Sequence, residues 1–300
     1  VLWTAALIAI RQPVLFSRTP HRAHARADAS RLRADVVALT KHRDPAYIAS
    51  ELRETGAVVT EQVFTARGRT YRNVIATFGP DTKELLVVGA HYDAFNELPG
   101  ADDNASGTAG LLELARLLAR EQLTMSVALV AYANEEPPFF GSEQMGSAIH
   151  AESIANRRVR GMICLEMIGY FRGEQRWNSW VLDLMYPKRG DFIAVTGGWD
   201  DRALVKRVKS AMCSAGGVNV LSFSGPRQML DASDHRNYWA RGWNAVMITD
   251  TAYVRNPNYH TRNDTAETLD YEKMAWVVDG VLNAVLECDG QGDRLKTDRT

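Results

Sequence analysis

The sequence predicts an α/β fold, a three-layer α/β/α sandwich around a mixed, mostly parallel central sheet. Two observations carry this expectation. Segments such as "ELLVVGA" and "SVALVAYA" are nearly continuous apolar, β-branched runs, the pattern of strands buried on both faces. They alternate with helices whose apolar residues recur on one face, the order that lays helices over a parallel sheet.

From Asp28 the pattern is helical: "DASRLRADVVALT" places Leu32, Val36 and Leu39 on one face, with Asp28 or Ser30 as N-cap. A second helix, "PAYIASELRETG", opens on proline and stops at Gly56. "AVVTEQVF" and "RNVIATF" read as strands flanking the turn-prone "ARGRT", and so as paired neighbours. "ELLVVGA" then leads through a loop to the helix "ASGTAGLLELARLLARE", and "SVALVAYA" leads to a helix near Ser142 to Ile149. "GMICLEMI", "FIAVTG" and "NAVMITD" supply further strands; "DRALVKRVKSAM" and the closing "YEKMAWVVDGVLNAVLE" are amphipathic helices.

Three hundred residues can hold one large core, expected over residues 28–290 between an N-terminal extension (1–27) and a polar tail (291–300). A net charge of -1, with Arg and Lys scattered along the chain, argues against a nucleic-acid partner. Cys164, Cys213 and Cys288 are too few and too far apart for a disulfide framework or a cysteine zinc site, although a Cys213–Cys288 bridge stays open. The uncharged "VLWTAALIAI" at the start is shorter than the roughly 20 residues that cross a bilayer. It reads either as the cut end of a longer signal or membrane anchor, or as an amphipathic helix packed on the domain. The first reading places the protein outside the cytoplasm, as a periplasmic, secreted or membrane-anchored protein. Oligomeric state is not legible.

In an open α/β sheet, ligands bind beyond the carboxyl ends of the strands. "LLVVGA" is followed by His91 and Asp93, "VALVAYA" by Glu135 and Glu136, "GMICL" by Glu166, and "AVMITD" by a loop reaching His260 and Asp264. The loop after His91 adds "PGADDNASG", with Asp102 and Asp103 just before a helix. Taken alone, Asp103 would be an N-cap and His91 a hydrogen-bonded histidine at a strand end. Glu166 is harder to set aside, because a carboxylate in so apolar a run needs a partner and a cation would supply it. His21, His24, His42 and His150 read as structural or solvated.

Two histidines and three or four carboxylates, without cysteine, suit zinc or a similar divalent ion. Five such ligands exceed what a single catalytic zinc takes. They suit two metals about 3.5–4 Å apart sharing one carboxylate, with a further free carboxylate to accept a proton from water.

The set "GAHYD", "PGADDNASG", "AYANEE", "LEMIGY", "SDH" and "YHTRNDT", in this order, resembles the di-zinc aminopeptidases typified by bacterial leucyl aminopeptidase, aminopeptidase S and aminopeptidase Y. The resemblance covers about Asp28 to Glu287. It implies two Zn2+ per chain, with Co2+ or Mn2+ as substitutes, and peptide or protein N-termini as substrates. It implies that Asp103 bridges both metals, that Glu136 and His260 complete one site, and that His91 and Glu166 complete the other. Glu135 is then the general acid/base acting on a water held between the metals. Asp93 and Asp264 are expected to orient the imidazoles, while Asp234 and His235 play a supporting part. Two departures stand out: many members carry Asp where this chain has Glu166, and Leu230 occupies the place of a tyrosine thought to steady the oxyanion. The same superfamily holds glutaminyl cyclases with one zinc, glutamate carboxypeptidases, and receptor-like proteins without catalysis. Arg227 and Arg255, on candidate rim loops, keep the carboxypeptidase reading open, and the filled ligand set speaks against a non-catalytic binding protein. Pro137 and Pro138 are expected to end the strand and stiffen the loop of the two glutamates. Phe139 and Phe140 are ambiguous between loop anchor and pocket wall.

Overall fold

Helix α1 (Ala29–Lys41) begins where the Asp28 carboxylate accepts hydrogen bonds from the amides of Ser30 and Arg31, so Asp28 is the cap. This is seen in a computed structural model that describes residues 26–177 and 180–290. The apolar segment 1–10 and the tail 291–300 lie outside the described residues. Helix α2 (Pro45–Glu54) has Asp44 as its cap and proline in its first turn.

Strands β1 (Val58–Ala66) and β2 (Arg69–Phe78) pair antiparallel around a two-residue turn, the neighbours expected from sequence. They are followed by β3 (Glu84–His91), α3 (Gly107–Leu118), β4 (Ser126–Tyr132), α4 (Gly146–Ser153) and β5 (Arg158–Glu166). Next come α5 (Trp180–Met185), β6 (Phe192–Gly198), α6 (Arg202–Ala215) and β7 (Asn219–Gly225). Helix α7 (His235–Trp239), β8 (Ala245–Thr249) and α8 (Tyr271–Asp289) complete the order. The eight strands form one sheet in the order β1-β2-β4-β3-β5-β8-β6-β7. The ladders β3/β4, β3/β5, β5/β8 and β6/β7 are parallel, while β1/β2, β2/β4 and β6/β8 are antiparallel.

The sheet is covered on both sides, and β3 shows how. Its Leu86 and Val88 enter the core shared with α1, α2, α3, α6 and α8, whereas Leu85 and Val87 face Ala151 of α4 and Tyr238 of α7. A strand whose two faces are both apolar loses the polar alternation of a surface strand, which is why these runs read as continuous.

The structure departs from the sequence reading at several points. Strand β7 is absent from the sequence reading because it lies at the sheet edge and is only partly buried, so its sequence never becomes a continuous apolar run. Helix α4 starts at Gly146 instead of Ser142. The preceding residues form successive turns in which the Ser142 hydroxyl bonds to the Phe139 carbonyl, and the Gly146 amide is drawn to the Ala133 carbonyl at 2.8 Å. All three cysteines are free, so the Cys213–Cys288 bridge does not form. Among the described residues no helix is long and apolar enough to cross a membrane.

Candidate metal centre

Parallel strands β3, β4 and β5 end at the same edge of the sheet, with His91 opposite Tyr132 and Gly89 opposite Cys164. His91 is the last residue of β3 and Glu166 the last of β5, while Glu135 and Glu136 follow β4. Asp103 comes back to this edge just before α3 and is fixed from two directions. Its own amide and that of Asp102 donate to the Asp264 carboxylate at 3.1 and 3.0 Å. Next to it, Asn104 donates to the Leu165 carbonyl and accepts from the Met167 and Gly107 amides, tying the turn to the end of β5.

Two triads result, His91–Asp103–Glu166 and Asp103–Glu136–His260. Nε2 of His91 lies 3.4 Å from Asp103 Oδ1 and 3.4 Å from Glu166 Oε2. Nε2 of His260 lies 3.0 Å from Asp103 Oδ2 and 3.2 Å from Glu136 Oε1. Despite these distances, both Nε2 atoms and Glu136 Oε1 are buried without a hydrogen bond. Ligand atoms about 2.0–2.2 Å from a common tetrahedral zinc stand roughly 3.3–3.5 Å apart, which is near the spacing found here. Close approach without hydrogen-bond geometry is what donors shaped around a cation leave when described without it. The residues therefore fit a divalent metal in each triad.

Glu135 belongs to neither triad. It is 5% exposed, with Oε2 3.9 Å from His91 Nε2. The Asp93 carboxylate accepts from the amides of Glu135 and Glu136 at 3.1 and 3.0 Å and lies 3.4 Å from His91 Nδ1. Phe139 is buried edge-on against Tyr71 and anchors this loop, whereas Phe140 is exposed beneath the Arg236 guanidinium.

The remaining sequence candidates fall into place around the triads. The Asp264 carboxylate holds the Asp102 and Asp103 backbone, not the His260 ring for which it was expected. That ring is instead sandwiched between Phe95, at 4.1 Å and parallel, and Tyr259, at 3.8 Å. Asp234 is fully buried, and its carboxylate oxygens have no hydrogen-bond partner; burial pushes it up to about 7. The Ser147 hydroxyl approaches Asp234 outside hydrogen-bond geometry. His235 bonds the Leu230 carbonyl at 2.7 Å and packs edge-on against Trp239, a structural arrangement. Sequence reasoning missed Ser233, whose hydroxyl donates to Glu166 Oε2 at 2.6 Å. Its signal was its place at the head of "SDH". His150 is buried, with Nδ1 2.6 Å from the Tyr238 hydroxyl, in keeping with a structural role.

Without metal, the histidines carry the balancing charge. Burial pulls the His91 pKa down, but Glu166, Glu135 and the neighbouring aspartates raise it well above its ordinary value. His260 is likewise opposed by burial and lifted to about 9 by Asp103 and Glu136. Burial opposes ionisation of Asp103, yet the two rings hold it down to about 2. Burial, reinforced by Glu166, Asp234 and Glu136, lifts Glu135 well above the carboxylate range against the pull of His91. Metal must displace the imidazole protons, so apparent affinity should rise with pH up to about 9, where only half of the His260 rings still carry the proton. Chelator-competition titrations between pH 6 and 9 should show that slope, together with proton release on metal uptake. An affinity independent of pH would remove these histidines from the ligand set.

A layered α/β sheet carrying two carboxylate–histidine triads beside the carboxyl ends of its parallel strands is a candidate metal centre. Residues 73–285 match Peptidase family M28, and the chain belongs to that family. It is 48% identical over 254 residues to the uncharacterized protein YfbL of Escherichia coli K12, covering 80% of this chain and 78% of that protein. Leucine aminopeptidase 1 of Ajellomyces capsulatus is 26% identical over 230 residues, covering 72% of this chain and 55% of that enzyme. The chain thus spans about half the length of the leucine aminopeptidases it matches. Among solved structures, the LapA aminopeptidase of Legionella pneumophila shares the fold with a TM-score of 0.73 at 18% identity, covering 93% of this chain and 78% of that one. A glutaminyl cyclase of Porphyromonas gingivalis shares it with a TM-score of 0.67 at 20% identity, covering 87% and 98%.

Proposed function

We propose that the protein is a di-zinc aminopeptidase. One observation carries the reading: Asp103 presents Oδ1 to His91 and Oδ2 to His260, while Glu135 stands beside the triads and outside both. His91 and Glu166 would hold one zinc, His260 and Glu136 the other, with Asp103 common to them. Bound there, the ions supply Lewis acidity that activates water and polarises the scissile carbonyl. Glu135 takes the proton of the attacking water and passes it to the leaving amine, a task suited to a carboxylate whose pKa is lifted by burial.

Both arginines that would favour a carboxypeptidase are engaged elsewhere. Arg227 is paired with Asp201 through two hydrogen bonds, and Arg255 is buried against Gln175 and the carbonyls of Tyr170 and Phe192. Turnover of paired blocked peptides tests the assignment. N-acetylation is expected to abolish release of the first residue, whereas amidation of the C-terminus should leave it intact. The reverse pattern overturns the reading, and so does pyroglutamate formation with one zinc per chain.

A further inference from the structure

We propose that Arg43 is a positioning residue of the metal centre, its guanidinium clamping the loop that links the two ligand triads. Residue 43 lies in the turn between α1 and α2, ahead of the residues matched to the family. Its Nη1 donates to the carbonyls of Tyr92 and Asp93, both at 3.2 Å. Its Nη2 reaches the carbonyls of Leu98 at 3.3 Å, Pro99, and Gly100 at 3.5 Å. One planar fork thus gathers both ends of the segment between His91 and Asp103. Burial opposes its charge, while the negative field of Asp93, Asp103, Asp264 and Glu136 favours it.

That loop touches every part of the site. It starts at His91, stacks Phe95 on His260, and ends at Asp103, the residue common to both triads. Its backbone needs holding, because Asn96 and Glu97 have φ of 47° and 58° and Gly100 has φ of 51°. Left-handed conformations at non-glycine residues persist where the surroundings over-determine them. At Gly100 a Cβ would collide with the Asp103 carbonyl oxygen and come within 2.7 Å of the Arg43 guanidinium, so the backbone there leaves no room for a side chain. Lysine carries the charge but has three donors on a compact ammonium, and it lacks the fork that spans both ends.

The test uses the full chain with R43M, R43K and, as a control for the helical layer alone, R31A, which removes the two Arg31 hydrogen bonds to Glu113 on α3. R43M should accelerate amide hydrogen exchange across residues 92–101 in the metal-free protein. It should also weaken zinc binding about 10–100-fold in chelator competition. R43K should recover only part of both, and R31A should lower the melting temperature while leaving loop exchange and zinc affinity at wild-type values. Wild-type loop exchange and zinc affinity in R43M overturn the proposal, as does an equal loss of zinc affinity in R31A. Should R43M not fold, R43K carries the same comparison. The zinc measurement rests on the proposed di-zinc reading; the exchange measurement does not. A wild-type chain that binds no zinc therefore sinks that reading and leaves the clamp to be decided by the loop.

Discussion

Glu135→Gln is expected to retain both zinc ions and to lose about 10²–10⁴-fold in kcat, the usual contribution of a positioned general acid/base. The substitution keeps side-chain shape and removes only the capacity to take a proton. Because Glu135 belongs to neither triad, no ligand is lost. Its backbone should stay in place, since Asp93 holds the amide and not the side chain. Metal analysis after dialysis, alongside kcat and KM on an unblocked peptide, checks both halves. Metal-dependent turnover near the wild-type value would strip Glu135 of its assigned part.

Asp103→Ala is expected to empty both sites together and reduce turnover to background, whereas Glu136→Ala should release one ion and keep the other. The difference follows from sharing. Each oxygen of Asp103 faces a different histidine, so one substitution removes a carboxylate from both triads and, on the proposed di-zinc reading, the anion the two ions would share. The comparison is read from zinc per chain after dialysis. One zinc held by Asp103→Ala at wild-type affinity would show that the triads do not share this carboxylate.

Much of this was legible in the residues. The strand-end rule needs only apolar runs followed by polar residues, and it pointed to His91, Glu135, Glu136 and Glu166, which the sheet does bring to one edge. The two faces of β3 were legible for the same reason, since burial on both sides leaves an unbroken apolar signature. Contacts distant in sequence left no such mark. Spacing suggested that Asp264 serves His260, four residues before it, but its carboxylate reaches back 161 residues to the Asp103 amide. The stacking of Phe95 on His260 is equally non-local, and so is the Ser233 hydrogen bond to Glu166. Arg43 escaped because its partners are backbone carbonyls, which no residue type advertises. Strand β7 escaped because an edge strand is only half covered.

Asp93 fastens the amides of two neighbours with unlike tasks, Glu135 and Glu136, and faces the imidazole of His91 as well. The consequence is for heredity. On the proposed roles, a mutation that shifts Glu135 through this anchor would also disturb His91 and Glu136, so change at Asp93 would be felt at three positions together. Asp93 and the glutamate pair are expected to be inherited as one block, which an alignment of relatives checks.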